Sequence, residues 1–269
     1  MNGLDAADLL ARYDAQLRAD VPDPLPAGLR VECDGPLLRF IGLWRGGGIA
    51  YRDLGGIEGT ELDELIARQV RVFADHGEAF EWKLHGHDRP ANLSERLMGQ
   101  GFVAEDLETV LIAPVAEVAG EVVLPGGVSF REVSDRADLD RIGEMEDAIW
   151  HDDRAGWLAD SLEAEQVADP HAITIAVAES AGELVSAGWV RFVSGTDFAT
   201  LWGGGTLPGW RRRGIYRALV AYRANLAAER GFCFMQVDAS SESRPILQRL
   251  GFVAVTTTTP FIWTPPAMP

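Results

Sequence analysis

The sequence has 269 residues, 47% hydrophobic and 24% charged, which is enough to bury a sizeable core in one large domain or two ordinary ones. Its formal net charge of -17 would repel nucleic acid and anionic membranes, so we expect neither as a partner, and it favours a cationic substrate. Two distant cysteines, Cys33 and Cys233, argue against a disulfide framework or a thiolate metal site. No signal peptide or bilayer-spanning stretch is recognisable, so we predict a cytoplasmic protein.

The hydrophobic spacing of the first half predicts alternating helices and strands. A leading amphipathic helix should place Leu9, Tyr13 and Leu17 on one face. The elements expected after it are a helix, a strand, a helix and a strand, at residues 61–75, 78–86, 88–100 and 101–113. The stretch GLWRGGGIAY at residues 42–51 reads as two strands joined by glycines, although RGGG at 45–48 could be the remnant of a phosphate-binding turn.

A segment without helical periodicity, PVAEVAGEVVLPGG, follows at residues 114–127 and is predicted to be a linker or crossover. It divides the chain into units at residues 1–113 and 128–269. His85 and His87 invite a metal interpretation, but no cysteine or carboxylate at convincing ligand spacing supports it.

The second half predicts a mixed sheet with a parallel β-α-β crossover near its end. The strand VSFREV precedes a helix with Ser134 as its N-cap, and a second helix covers about residues 156–167. Three strands joined by short turns come next, AITIAVAE, LVSAGWVRFV and FATLWGGGTL. A helix from Ile215, with Leu219, Tyr222 and Leu226 on one stripe, leads to the strand CFMQVDAS, a short helix and a last strand.

Two short matches suggest that the halves are related. The tetrapeptide GFVA occurs at 101–104 and again at 251–254, and Arg-Pro precedes it both times, at residues 89–90 and 244–245. Because the predicted elements also follow the same order, we expect a degenerate internal duplication with a period near 150 residues.

The most informative stretch is LWGGGTLPGWRRRGIYR at residues 201–217, a glycine-ended strand, a basic turn and the start of a helix. Such a turn aims successive backbone N–H groups and the positive helix end at one point, which makes an anion site. Glycine at 214 lets an anion approach the backbone closely. The alternative is a solvated basic turn on an acidic protein. No triphosphate-binding or dinucleotide-binding glycine motif is present.

The stretch resembles the signature of the GNAT superfamily of acetyl-CoA-dependent N-acyltransferases, a proline followed by [QR]xxGx[GA] at the start of a helix. Here it stands as Pro208, then Arg211 to Tyr216, with Thr206 where an aliphatic residue is usual and Tyr216 where a small one is usual. The resemblance covers residues 128–263 well and implies a GNAT-like α/β (α+β) mixed-sheet fold, with two tandem domains of which the first lacks the turn.

What the resemblance implies for this turn is a coenzyme A site. The N–H groups between Arg212 and Arg217 would hold the pyrophosphate, and the strand edge from Gly205 to Leu207 would pair with the pantetheine amides. The residues assigned to the coenzyme are Gly205, Thr206, Leu207, Arg211, Arg212, Arg213, Gly214, Ile215, Tyr216 and Arg217.

Acyl transfer needs a neutral amine, a polarised carbonyl and a protonated or stabilised thiolate. Family members often place an acid tyrosine where this chain has Leu247, so the general acid is unassigned. The catalytic candidates are Asp238, Glu146 and Ser241, each with a plain alternative, namely a loop cap, a solvated helix face and a helix cap.

Other side chains could line an acceptor cleft. The acidic candidates near Glu146 are Glu144, Asp147, Asp152 and Asp153, with His151 beside them as a base or an incidental residue. Trp202 and Trp189 could line the cleft or lie in the core.

We therefore predict an N-acetyltransferase that moves an acetyl group from acetyl-CoA directly to a primary amine, on a small molecule or a peptide. The rivals are a non-catalytic acyl-CoA-binding or sensing module and an acyltransferase that uses a longer acyl chain. The first half would shape the acceptor cleft or serve as scaffold. The acceptor and the oligomeric state, a homodimer included, are left open.

Overall fold

The first half of the chain forms strands and helices that follow one another along the chain, as its alternating pattern predicts. In the computed structural model, residues 5–43, 46–151 and 155–266 are described. The elements of the first half are α1 (Ala6–Gln16), β1 (Arg30–Asp34), β2 (Leu37–Leu43), β3 (Gly46–Ala50), α2 (Gly59–His76), β4 (Phe80–His85), α3 (Leu93–Gly99), β5 (Val103–Ala104) and β6 (Glu108–Pro114).

The second half continues the alternation and contains the predicted three-stranded run. Its elements are α4 (Val115–Val118), β7 (Val128–Val133), α5 (Arg136–Trp150), α6 (Ala155–Ala168), β8 (Ile173–Ser180), β9 (Glu183–Phe192), β10 (Phe198–Thr206), α7 (Ile215–Glu229), β11 (Phe234–Ala239), α8 (Arg244–Arg249) and β12 (Val253–Trp263). A 3-10 turn at Pro208–Trp210 lies between β10 and α7.

All strands belong to one mixed sheet that runs through both halves, in the order β1-β2-β3-β4-β12-β6-β11-β10-β9-β8-β7, with β5 beside β12. Two neighbouring pairs are parallel, β3 with β4 and β10 with β11, and each pair is joined by a helix. The mixed α/β fold class predicted from the sequence is confirmed, and the same β-α-β-α order recurs in both halves.

The two halves exchange their last strands. β6, from the first half, lies between β11 and the beginning of β12, where Val110 is opposite Asp238. The end of β12, from the second half, lies between β4 and β5, where Phe261 is opposite both Trp82 and Ala104. The two GFVA segments begin the exchanged regions, and each half is therefore incomplete without a strand of the other.

The segment 114–127, predicted to be a linker or crossover, contains the short helix α4, in which Val115 and Val118 are buried and which contacts α7. Two local predictions were wrong. Asp135, not Ser134, caps α5, since its carboxylate accepts from the N–H of Asp138. The strand predicted at 101–113 is divided into β5 and β6.

The predicted stripe of α7 was also wrong in part. Leu219 is buried, but Tyr222 and Leu226 are only half-buried. The face that packs on the sheet instead includes Arg223, whose side chain is buried under β9 and β10. Its guanidinium donates to the carbonyls of Trp189 and Trp202, which replaces the apolar contact that the pattern suggested.

Other predictions from the sequence hold. Leu9 and Tyr13 are buried against the sheet on one face of α1. The two strands predicted within GLWRGGGIAY correspond to the end of β2 and to β3, but the three glycines lie inside β3 and do not join the strands. Arg45, from the suspected remnant turn, lies outside the described residues. Both cysteines are free and exposed, and no helix within the described ranges is long and apolar enough to cross a membrane.

The exchanged strand β6 predicts that the second half cannot fold alone. Residues 110–113 of β6 are fully buried, so a chain restricted to residues 128–269 would expose the edges of β11 and β12. We expect that fragment to be unfolded or aggregated, and the full chain to unfold in one transition when circular dichroism follows urea denaturation. A soluble fragment with native helix content, or two separate transitions in the full chain, would contradict this.

Candidate functional site

The site is built where two parallel strands separate. β10 pairs with β11 only from Phe198 to Thr200, and the register of β10 against β9 then shifts between Gly203 and Gly205. After that point β10 keeps β9 as its neighbour but has left β11. The result is a wedge between the carboxyl ends of adjacent parallel strands, which is where open α/β sheets bind ligands.

Three successive glycines lie at this bend. Each has no Cβ atom, and side chains of other elements occupy the space where that atom would be. A Cβ on Gly203 would overlap the Trp189 ring, and one on Gly205 would overlap the carboxylate of Glu146. A Cβ on Gly204 would lie 2.8 Å from the ring of Tyr216. The LWGGG run thus brings residues of three elements, β9, α5 and α7, against β10.

The basic turn follows the bent strand. Arg212 and Gly214 have left-handed backbones, with φ of 62° and 87°, and α7 begins at the next residue. A left-handed residue at the start of a helix turns the preceding N–H groups toward the helix axis, and glycine adopts it without strain. The sequence places glycine at the second of these positions and arginine at the first.

Backbone donors of this turn are unused. Within the described part of the chain, no protein atom accepts from the N–H groups of residues 212–217, and Gly214 supplies no capping side chain. Unpaired donors at a helix N-terminus, with the positive end of the helix dipole, form a site for an anion. The predicted anion turn is therefore present as a geometric feature.

The arginines of the turn are exposed, and two have partners within the turn. Nε of Arg211 donates to the carbonyl of Thr206 at 3.1 Å, which fixes the turn to the end of β10. The guanidinium of Arg213 stacks on Trp210, 4.7 Å from the ring centroid. Arg212 and Arg217 face solvent, so the positive charge surrounds the unused N–H groups.

The predicted pantetheine-binding edge is partly occupied by the protein itself. The N–H of Leu207 donates to Val185, and the carbonyl of Gly205 accepts from the Ser186 hydroxyl. The N–H of Leu207 is thus already used within the protein, and the carbonyl of Gly205 already accepts one hydrogen bond. Thr206 is buried, with its hydroxyl 3.0 Å from that of Ser186, which explains why an aliphatic residue is not required there.

Ile215 and Tyr216 open the helix on opposite sides. Ile215 is buried against β8 and β9. Tyr216 lies over Gly204, and burial raises the pKa of its hydroxyl, while the charge of Arg223 and a hydrogen bond with Ser243 oppose that rise. The large residue at 216 is thus accommodated by the glycine at 204, and its ring narrows the wedge.

Glu146 is the predicted catalytic residue that the fold brings closest to the bent strand. Its side chain is buried, its Oε2 accepts from the indole of Trp150 at 2.7 Å, and its carboxylate lies against Gly205. Glu144, on the same helix, is exposed and lies outside this contact. Asp147 is half-buried, and Asp152 and Asp153 lie outside the described residues.

Asp238 lies where the sequence predicts it, at the end of the strand beside β10, and its carboxylate has hydrogen-bond partners. Its carboxylate accepts from Nζ of Lys83 at 2.9 Å and from the amide of Gln236 at 2.8 Å. Burial is the largest single influence and would lower the pKa of Lys83, but the charges of Asp238, Glu81 and Glu108 and the hydrogen bond to Asp238 together outweigh it, so the net shift is upward. Asp238 is therefore held as half of an ion pair.

Glu108, on β6, joins this pair and was not predicted. Burial raises its pKa to about 7, Lys83 opposes the rise, and the charge of Asp238 adds to it. No local signal in the sequence marks Glu108, because Lys83 and Asp238 are both distant from it in the chain. Lys83 and Glu108 thus bring the first half of the chain to the edge of the wedge.

The remaining candidates are placed as follows. Ser241 is exposed in the loop between β11 and α8, where Ser240 caps the turn by accepting from the N–H of Ser243. His151 ends α5 in a left-handed conformation and is exposed. Trp202 is 44% exposed and stacks under Arg191, whereas Trp189 belongs to the core.

A pH effect follows from Glu108. Because its folded-state pKa lies above its ordinary value of 4.5, the folded protein binds this proton more tightly than the unfolded chain does. Its stabilising contribution is present at low pH and is lost as pH rises through about 7. We expect the urea midpoint of Glu108→Gln to gain on the wild type between about pH 5 and about pH 8. The exposed control Glu95→Gln should run parallel to the wild type, and an equally parallel Glu108→Gln would contradict the assignment.

Comparison with known proteins agrees with this geometry. Residues 142–252 match the Acetyltransferase (GNAT) family, a segment that includes Glu146, the bent strand, the turn and Asp238. Among proteins with curated functions, none matches the sequence significantly.

Solved structures extend the likeness to the whole chain. A GCN5-related N-acetyltransferase from Kribbella flavida is 16% identical, with a TM-score of 0.67 over 99% of this chain and 98% of its own. A tandem GNAT protein from the clavulanic acid biosynthesis pathway is 13% identical, with a TM-score of 0.64 over 98% and 94%. A similar protein from Sphaerobacter thermophilus is 14% identical, with a TM-score of 0.61 over 88% and 83%. The chain therefore has a fold similar to that of tandem GNAT proteins, and its segment 142–252 matches the Acetyltransferase (GNAT) family.

Proposed function

We propose that the protein is an N-acetyltransferase that moves an acetyl group from acetyl-CoA to a primary amine. One observation carries the proposal: the N–H groups of six consecutive residues, 212–217, have no acceptor within the described part of the chain, and they lie at the start of the helix that follows the bent strand β10. The match of residues 142–252 to the Acetyltransferase (GNAT) family supports acyl transfer in general. The turn adds a reason for a coenzyme that carries a pyrophosphate.

The coenzyme fits the sequence of features along β10. The pyrophosphate would bind the N–H groups of the turn, and the helix terminus would contribute ~0.3–2 kcal/mol to the free energy of binding. Pantetheine would then run back along the edge of β10 that β11 leaves free. Since Tyr216 narrows the wedge at Gly204, this geometry supports a short acyl group over a long one.

The amine would enter on the face that carries Glu146 and Trp202. The net charge of -17 attracts a cation, and the exposed indole of Trp202 offers a surface for its apolar part. Both a small molecule and a peptide N-terminus meet these requirements. Because the Asp238 carboxylate is paired with Lys83, Glu146 is the better candidate to accept the proton that the amine loses.

The reaction needs no covalent enzyme intermediate. The amine nitrogen attacks the thioester carbon, the C–N bond forms, and the C–S bond breaks with its electron pair leaving on sulfur. The amine gives one proton to the base and the thiolate takes one up, so the products are an amide and free coenzyme A. Alignment of the two reactants alone can supply roughly 7–11 kcal/mol of the barrier.

We propose that the protein is cytoplasmic. Two free, exposed cysteines suit a reducing compartment, which supports the cytoplasm. We propose no role in binding nucleic acid or membrane surfaces, because the net charge of -17 opposes both.

Coenzyme binding should depend on the left-handed glycine of the turn. Coenzyme A at about 100 times its dissociation constant should stabilise the wild type by about 2.7 kcal/mol, measured as a rise in melting temperature. Gly214→Glu should abolish the rise, because it adds strain and a negative charge at the N–H groups. Gly182→Glu is the matched control, since Gly182 has a φ of 85° and equally open surroundings but lies in the β8–β9 turn. Loss of the rise in both variants, or in neither, would contradict the assigned site.

Turnover should depend on Glu146. We expect Glu146→Gln to keep the thermal response to coenzyme A but to lower the rate of thiol release from acetyl-CoA with the best primary amine of a screen by about 10²–10⁴-fold. Glu144→Gln, exposed on the same helix, should keep its rate. Full activity in Glu146→Gln would remove it as the base. Coenzyme binding without turnover for any amine would favour the non-catalytic acyl-CoA-binding module.

A further inference from the structure

A cavity of about 370 Å³ lies where the loop after β4 meets β12, and its volume is within the range of small-molecule sites. Its wall brings together Leu10 of α1, His87 of that loop and Thr256 of β12. Because β12 comes from the second half of the chain and the other two elements from the first, the cavity lies at the junction of the halves. None of the residues that line it belongs to the wedge.

The side chains of Asp14, His87 and Thr256 form a continuous chain of hydrogen bonds at this cavity. Nδ1 of His87 lies 2.9 Å from the hydroxyl oxygen of Thr256. Nε2 of the same ring lies 3.0 and 3.1 Å from the two carboxylate oxygens of Asp14. A hydroxyl, an imidazole and an orienting carboxylate at these distances are the arrangement of an activated nucleophile with its base.

The position of the proton on the His87 ring follows from its neighbours. A carboxylate only accepts hydrogen bonds, so Nε2 of the neutral ring carries the proton toward Asp14, and the lone pair of Nδ1 faces the Thr256 hydroxyl. The guanidinium of Arg18 also comes within 3.4 Å of Nε2, but its Nη1 is paired with Asp88 at 2.7 Å. The ring is thus oriented to take the proton of Thr256.

The backbone around these side chains holds His87 against β12. The register of β12 against β6 shifts between Ala254 and Thr256, so a β-bulge directly precedes the hydroxyl. Bulges redirect side chains and are common beside active sites. The N–H of Gly86 donates to the carbonyl of Thr257 at 2.9 Å, and a Cβ on Gly86 would lie 2.5 Å from the hydroxyl oxygen of Thr257. Glycine therefore allows the loop to approach the strand this closely.

The cavity favours an anionic substrate, although the chain as a whole is acidic. Among the described residues that line it, Arg244 is a cation and none is a carboxylate. The Nη1 of Arg244 donates to the Thr109 hydroxyl at 3.4 Å, which directs the guanidinium along the wall. Leu10, Ala254 and Val255 supply apolar surface. A small molecule with one carboxylate and an apolar body suits this wall.

We propose that Thr256 is the nucleophile of a second acyl-transfer centre, which hydrolyses small esters that carry a carboxylate. His87 is its base, Asp14 is a positioning residue that orients His87, and Arg244 binds the carboxylate of the substrate. The proposal does not rest on the acetyltransferase activity, because no residue of the wedge takes part.

The reaction proceeds in two balanced steps. The Thr256 oxygen attacks the ester carbon and its proton passes to Nδ1 of His87, after which the bond to the leaving oxygen breaks with its electron pair on that oxygen. His87 returns the proton there, and the alcohol departs. Water then attacks the acyl carbon and gives one proton to His87. The bond between the acyl carbon and the Thr256 oxygen breaks, that oxygen takes the proton back, and the carboxylic acid is released.

The probe is para-acetoxybenzoate, an acetate ester with one carboxylate, and the full chain should release para-hydroxybenzoate from it with saturation. Thr256→Val should lower kcat roughly 10²–10⁴-fold, because it removes the hydroxyl. Thr256→Ser should retain turnover, because it keeps one. The control Thr259→Val, on the same strand but outside the cavity, should match the wild type.

Two further variants separate binding from chemistry. Arg244→Gln should raise KM for para-acetoxybenzoate roughly 10-fold or more with kcat unchanged, and should leave KM for the neutral methyl ester of the probe unchanged. Asp14→Asn should lower kcat with KM unchanged, because it alters the orientation of His87 and not the contact with Arg244. A merely structural role of either side chain would not produce this division between kcat and KM.

Mass spectrometry of acid-quenched samples gives a covalent readout. An acetyl group on residue 256 in the wild type, absent in Thr256→Val, would support the proposal, whereas acetyl groups on surface lysines alone would overturn it. Equal rates in the wild type and Thr256→Val would also overturn it, whether both are high or both equal the rate in buffer. If Thr256→Val does not fold by circular dichroism, Asp14→Asn decides, and a wild-type kcat in that variant would overturn the proposal.

Discussion

The separation of β10 from β11 is the constraint on which the rest of the site depends. The separation needs a strand that bends within three residues, and the bend needs glycine at all three because Trp189, Tyr216 and Glu146 fill the space beside them. Each of these side chains comes from a different element. The glycines therefore both open the wedge and bring a carboxylate and a phenol to its two sides.

Strand exchange links this wedge to the first half of the chain. β6 supplies the neighbour that β11 would otherwise lack, and it carries Glu108 to the Lys83–Asp238 pair. The first half thus completes the sheet and contributes charge at the edge of the cleft.

Features set by local chemistry could be predicted from the sequence. The turn from Pro208 to Gly214 depends on residues adjacent in the chain, and so do the strand boundaries and the recurring GFVA segments. Features set by distant residues could not. Lys83 meets Asp238 across 155 positions, and neither residue carries a local mark of its partner. The burial of Arg223 was not predicted because an arginine in a helix normally indicates the solvent-facing side. Nothing in the helical pattern shows that its guanidinium donates to backbone carbonyls of two strands.

The strand exchange itself was beyond the same reasoning. Periodicity assigns residues to strands and faces, but it does not say which strands are neighbours. The duplication was visible from its period near 150 residues, yet a duplication is equally compatible with two closed halves. The prediction of a single strand at 101–113 was wrong for the same reason. The strand is interrupted after β5 because β12, from the other half, lies between β4 and β6.

Hydrogen exchange at the backbone amides of residues 212–217, with and without coenzyme A, tests the central claim most directly, because these N–H groups have no partner among the residues that the structure describes. Exchange at these amides should be fast in the free protein and should slow markedly, ahead of all other surface turns, when coenzyme A is added. Unchanged exchange in this turn while coenzyme A protects another part of the chain would show that the wedge between β10 and β11 is not the coenzyme site.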